Sequence, residues 1–280
     1  MNTQTPCIVI GYDGSADADA AASWAGRMAR LRGEPVVVAT VADRMESPRR
    51  PDWPASWWEE LEQRARETLT ATGVTDVTFE RYREGGVAHT LVHRAADASM
   101  LVLGSRGHGR MGEVLLGSVS QSAARHARCP VVVVRQARQG NERRIVVGVD
   151  GSESSLRALE FACRQAAHTG EPVVLFRAWK PLTMPRDERG DVPASMSRRL
   201  LEEEEALLKA VAEARTRHPE IEIEGEFIAE RAGQAMVDAS NTAVLVVVGS
   251  RGHGALTETV LGSVSHQVLH HAHCPVAVVR

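Results

Sequence analysis

Two clusters of glycine and serine recur in this chain at one spacing. Gly104-Ser105-Arg106-Gly107 is followed, nine residues on, by Gly117-Ser118-Val119-Ser120; Gly249-Ser250-Arg251-Gly252 is followed at the same interval by Gly262-Ser263-Val264-Ser265. Gly109 and Gly254 extend the leading cluster in each copy. Exposed backbone N–H groups with serine hydroxyls beside them are donors for phosphate oxygens, so the pattern points to nucleotide binding rather than covalent catalysis. Each leading cluster follows an apolar run, Met100 to Leu103 or Val244 to Val248, and precedes a segment of helical period. A strand-to-helix turn is therefore expected, with glycines at positive φ letting a ligand approach the backbone.

A second repeated element carries a carboxylate. Ile8-Val9-Ile10-Gly11-Tyr12-Asp13-Gly14-Ser15 returns as Ile145-Val146-Val147-Gly148-Val149-Asp150-Gly151-Ser152. Asp13 and Asp150 either accept from ribose hydroxyls or help to hold Mg²⁺ brought by a triphosphate, or else they only shape a turn whose serine caps the next helix. Arg106 and Arg251 are either phosphate partners or solvated surface residues. With only Lys180 and Lys209 as lysines, neither in a glycine-rich segment, a P-loop is excluded.

The elements that must position these groups follow from the hydrophobic pattern. Strands are expected at 8–12, 35–41, 74–82, 100–104 and 131–134, with helices at 16–32, 56–72, 87–98 and 114–127, and the series repeats in the second half. Strands as apolar as Val36-Val37-Val38 and Val131 to Val134 belong in a parallel sheet covered on both faces. Residues 104–135 and 249–280 share 20 identities in 32, which marks a duplication. Two α/β domains are expected, 1–138 and 139–280, joined near Gln136 to Glu142. In such sheets ligands bind beyond the carboxyl ends of the strands where strand order reverses, so the first and fourth strands should bring Asp13 to the Gly104 turn and Asp150 to the Gly249 turn. The segment Gly233 to Gly249 reads as two residues shorter than Gly86 to Gly104. The long segments 42–56 and 179–195 read as functional or mobile loops.

Composition removes several classes. A formal charge of −3 and no basic, aromatic-rich stretch argue against nucleic acid. No apolar stretch long enough to span a membrane and no leader pattern are present, so a cytoplasmic protein is expected. Cys7, Cys129, Cys163 and Cys274 lack metal-binding spacing and read as buried thiols in a reducing compartment. His266 and His270 have no histidine counterparts in the first half, so no shared metal site is read. Trp53, Trp57 and Trp58 are read as packing or interface residues, and Glu202 to Glu205 as the solvated start of a helix.

Together these residues resemble the universal stress protein family in its tandem, two-domain, ATP-binding form. The resemblance implies, in each half, a five-stranded parallel sheet of order 3-2-1-4-5. It implies that Asp13 and Asp150 contact ribose or metal, that Val41 and Ala178 line an adenine pocket, and that Gly104, Gly107, Gly117, Ser118, Val119 and Ser120 hold the triphosphate with their counterparts Gly249, Gly252, Gly262, Ser263, Val264 and Ser265. Gly11, Gly148, Ser105 and Ser250 complete the expected site. It further implies pairing of the two halves through their last strands, and a homodimer of tandem chains. The expected function is a stress-response module that binds ATP with Mg²⁺ and signals to a protein partner; slow ATP hydrolysis or nucleotidyl transfer, and nucleotide-independent interaction, are the alternatives.

Overall fold

The computed structural model describes residues 6–42, 54–83, 85–107, 116–135, 143–179, 194–252 and 261–280. The first half runs β1 (Ile8–Gly11), α1 (Ala16–Arg32), β2 (Val36–Val41), α2 (Ala55–Thr70), β3 (Val77–Tyr82), α3 (Val87–Arg94), β4 (Met100–Gly104), α4 (Ser118–His126) and β5 (Val131–Val134). The second repeats it with β6 (Arg144–Gly148), α5 (Glu153–Thr169), β7 (Val173–Ala178), α6 (Ala194–Arg217), β8 (Ile223–Ile228), α7 (Ala232–Ala239), β9 (Ala243–Gly249), α8 (Ser263–His271) and β10 (Val276–Val279).

Strands and helices alternate, and each half winds its strands in the order expected, β3-β2-β1-β4-β5 and β8-β7-β6-β9-β10. Within a half all pairings are parallel, because each crossover carries a helix. The apolar strands are buried on both faces. Ile8, Ile10, Val36, Val38, Met100 and Val102 face a core formed with α1 and α2, and Val9, Val37, Leu101 and Leu103 face one formed with α3 and α4. Both cores run through the two halves, so the chain is a three-layer structure around a ten-stranded sheet.

Local capping sets the ends of the long helices. Ser15 and Ser152 sit in extended conformation and accept from Ala18 N–H at 3.1 Å and Ser155 N–H at 3.3 Å, while Gly33 and Gly170 close the helices in the left-handed region.

The halves meet where β5 and β10 pair antiparallel, Val133 opposite Val276 and Val131 opposite Val278. Beyond β5, Arg135 reaches across this seam, its Nη1 donating to the Ala272 carbonyl at 2.6 Å and its Nη2 to that of Leu269. Both oxygens lie at the end of α8, where helical carbonyls have no partner of their own. Arg135→Ala leaves them unpaired in a partly buried place and should cost about 1–3 kcal/mol. A urea midpoint equal to that of the parent chain would show that the clasp contributes nothing.

The structure corrects several details. α3 ends at Arg94 rather than 98, and α4 starts at Ser118 rather than 114, because Gly117 is extended (ψ 153°). α7 begins at Ala232 and lies 145 residues after α3 throughout, so Gly233 is inside the helix, the counterpart of Gly86 is the cap Arg231, and no shortening exists. The longer second copy owes most of its length to α6, with 24 residues against 16 in α2. Glu202 to Glu205 lie more than two turns inside α6, so they do not sit on the positive end of its dipole. Glu203 is buried instead, receiving Arg177 Nε at 2.8 Å and Arg199 Nη2 at 2.8 Å.

Trp58 is fully buried and Trp57 packs edge-on against it at 4.8 Å between ring centres, as packing residues do. All four cysteines are free thiols; Cys129, Cys163 and Cys274 are buried, and burial raises their pKa values. Trp53, the linker 136–142 and the loop segments 43–53 and 180–193 lie outside the described residues. No helix among those described is long and apolar enough to cross a membrane.

Candidate functional site

Order reverses at β1 and β4 in the first half and at β6 and β9 in the second. The chain leaves β1 through Asp13-Gly14-Ser15. Asp13 Oδ1 accepts the Ser15 N–H at 2.9 Å, and Gly14 takes φ 83°, a value L-residues avoid. Asp150 Oδ1, Ser152 N–H at 2.9 Å and Gly151 at φ 88° reproduce the turn. This is the turn-shaping reading of the aspartates. The same turn also aims the second carboxylate oxygen across the cleft. A Cβ built on Gly107 would overlap Asp13 Oδ2, and one on Gly252 would overlap Asp150 Oδ2, so carboxylate and glycine turn lie in direct apposition in both halves. Ser15 and Ser152 add hydroxyl contacts to the Arg106 and Arg251 carbonyls at 3.3 and 3.4 Å.

The trailing clusters form the other wall. Gly117 N–H donates to the Ser105 carbonyl at 2.8 Å and Gly262 N–H to that of Ser250 at 2.9 Å, which sets the starts of α4 and α8 beside the glycine turns. No side chain caps either helix among the described residues. The first-turn N–H groups of Ser118, Val119 and Ser120, and of Ser263, Val264 and Ser265, are therefore left as donors at the positive end of a helix. The Ser118 and Ser263 side chains are exposed there.

Three expectations are revised. The described motif glycines do not adopt positive φ; among the described residues of this turn system only Gly14 and Gly151 do. Gly104 is required because α1 crosses it: a Cβ there would stand 2.7 Å from the Asp17 carbonyl carbon and 3.0 Å from Ala18 N, and Gly249 is covered likewise by Ser154 and Ser155. The Ser120 hydroxyl donates to the Gly104 carbonyl at 2.6 Å, and Ser265 to Gly249 at 2.5 Å, so these hydroxyls stitch helix to strand while their backbone N–H groups remain. Ser105 is buried, its Oγ donating to Asp17 Oδ2 at 2.6 Å; Ser250 is buried too. Arg106 holds Asp17 with Nε at 3.4 Å and is mostly exposed. Gly109 and Gly254 lie outside the described residues.

In the second half these walls enclose a cavity of about 580 Å³, a size typical of small-molecule sites. Gly148, Asp150, Ala178, Gly249, Arg251, Gly252 and Gly262 to Ser265 line it. Phe176 and Met236 line it as well. Neither was legible beforehand, since their first-half counterparts, Ala39 and Leu91, differ in size and shape. Val41 closes β2 in the first half at the place Ala178 has in the second, packed on the core of the α3 and α4 face. The arrangement offers an apolar slot at one end, a helix N-terminus and glycine turn at the other, and one carboxylate between. No set of three or more metal-ligating side chains is gathered among the described residues.

The chain is similar to known proteins over its whole length. The model of the universal stress protein family matches residues 7–135 and again 142–280. A universal stress protein of Mycobacterium tuberculosis is 35% identical over 290 residues, which covers 98% of this chain and 96% of that one. Another from Mycolicibacterium smegmatis is 33% identical over 295 residues with the same coverage. A solved universal stress protein from Archaeoglobus fulgidus matches 99% of both chains with a TM-score of 0.68 at 21% identity, a likeness of fold.

Proposed function

Because the chain belongs to the universal stress protein family, we propose that each half binds ATP, and that the protein works as a nucleotide-responsive stress module rather than as an enzyme. The observation that carries this reading is the apposition of Asp150 with the Gly252 turn beside the uncapped start of α8, repeated by Asp13, Gly107 and α4. Adenine would enter the slot bounded by Ala178, Phe176 and Met236, and in the first half the one by Val41. The phosphates would meet the first-turn N–H groups and the Ser118 or Ser263 hydroxyl. One carboxylate per cleft cannot cage a cation, but it suits Mg²⁺ that arrives on the triphosphate and keeps most of its water and phosphate ligands. When bound, Mg²⁺ would neutralise phosphate charge; Asp13 and Asp150 would face it directly or through water.

A cytoplasmic location, a dimer of tandem chains and a protein partner that reads the occupied state belong to the same proposal. Such signalling requires that ATP favour one state of the chain over another. Titration calorimetry with ATP and Mg²⁺, on protein freed of co-purified nucleotide, tests the reading while product is followed in the same sample. Binding of two ATP per chain without turnover is expected; turnover would move the site to slow hydrolysis, and an absence of heat would remove nucleotide altogether.

A further inference from the structure

We propose that the two clefts are unequal, the second half being the stronger site for the polyphosphate end of a nucleotide, and that the second residue of the first helix in each half, Asp17 or Ser154, sets the difference. This rests on the nucleotide reading above and assigns each half its rank.

The halves are alike around Asp13 and Asp150 but diverge within the next helical turn. In the first half Asp17, buried to 7% exposure, lies against the Gly104 turn, accepts the Ser105 hydroxyl and binds the Arg106 guanidinium. A negative charge thus sits directly beneath the phosphate turn and pairs with Arg106, the one arginine of that turn among the described residues. Its counterpart Ser154 is neutral, and its hydroxyl donates instead to the Arg251 carbonyl. Two consequences follow. The Ser250 hydroxyl, 2% exposed, has lost the carboxylate its counterpart uses and has no hydrogen-bond partner among the described residues. Arg251 makes no ion pair among them, so its charge is available to an anion in the cavity it lines. The acidic residue the second half does carry here, Glu153, is 86% exposed and pairs with Arg157, where solvent screens it.

Sterics act in the same direction. A Cβ on Gly11 would stand 2.7 Å from Leu91 Cδ1, whereas one on Gly148 would stand 3.4 Å from Met236 Cε and 3.7 Å from Val248. The space over Gly148 is therefore less crowded than that over Gly11.

A unit charge several ångströms from a triphosphate, in surroundings between protein and water, changes affinity by about tenfold. The test uses the full chain and ATP calorimetry, with Gly117→Ala silencing the first half or Gly262→Ala the second. The second half should bind ATP about tenfold more tightly than the first. Ser154→Asp should remove that advantage, and Asp17→Ser should strengthen the first half by a similar factor; a gain of binding cannot come from misfolding. With AMP, which carries less charge, the ratio between halves should shrink. Equal halves, or exchanges that move affinity less than about twofold, would overturn the inequality while leaving nucleotide binding intact. A ratio as large for AMP as for ATP would overturn the role of charge at Asp17. No ATP binding by the parent chain would overturn the nucleotide reading and this inference with it.

Discussion

Replacing Gly117 and Gly262 together by Ala is expected to weaken ATP binding in both halves by more than tenfold, about 1.4 kcal/mol or more per site, while the chain still folds. The reason is that both glycines stand at the mouth of a helix where phosphate should approach the backbone, and neither is needed for space inside the protein. A Cβ on Gly117 would meet nothing closer than 3.4 Å, and one on Gly262 likewise. Their φ values, −71° and −61°, are open to any residue. Ala is a poorer N-cap than Gly, which should cost at most about 1 kcal/mol per helix and lower the melting temperature by a few degrees. Affinity unchanged in a folded double variant would show that the phosphates lie elsewhere.

The opposite phenotype is expected one strand earlier. Gly104→Ala forces a methyl group against the backbone of α1, with the Asp17 carbonyl oxygen 2.9 Å away, and a helix backbone cannot step aside as a flexible side chain can. We expect a loss of about 3 kcal/mol, seen as a fall of roughly 10 °C in thermal unfolding. Ligand affinity should change less than stability. If melting were unaffected, α1 would have to tolerate a shift that its packed surroundings argue against. The two glycines belong to one sequence motif, yet they do different work: one lets a helix lie close to a strand, the other leaves room at a helix start.

This division explains what the sequence could and could not disclose. Val131 to Val134 was readable to the residue because a four-valine run follows Pro130 and must be covered on both sides. The approach of Asp13 to Gly107 was readable because strand order and repeat together place two loops over one switch point. Hydroxyl direction was not readable. Ser118 and Ser120 differ by two positions, which on a helix turns one toward solvent and the other onto the Gly104 carbonyl. The C-terminal end of α3 was misjudged because Ala95 and Ala98 continue the apolar pattern after the helix has stopped at Arg94, whereas its start at Val87 is where the pattern placed it. Phe176 and Met236 were hidden for another reason: duplication exposes what two halves keep, and these positions are where they differ.

The seam between β5 and β10 bears on how the chain is made. All strands of the first half are complete once Val134 leaves the ribosome, but the partner for its last edge is β10, at 276–279. At about 5–20 residues per second, synthesis of the intervening 145 residues takes roughly 7–30 s. Throughout that interval a bare four-valine edge faces the surroundings, the kind of edge that recruits other strands. A neighbouring nascent chain presents the same edge in the same state. The join that unites two halves in the finished molecule is thus also the place where two unfinished molecules would join, so faithful assembly depends on the second half arriving before a stranger does.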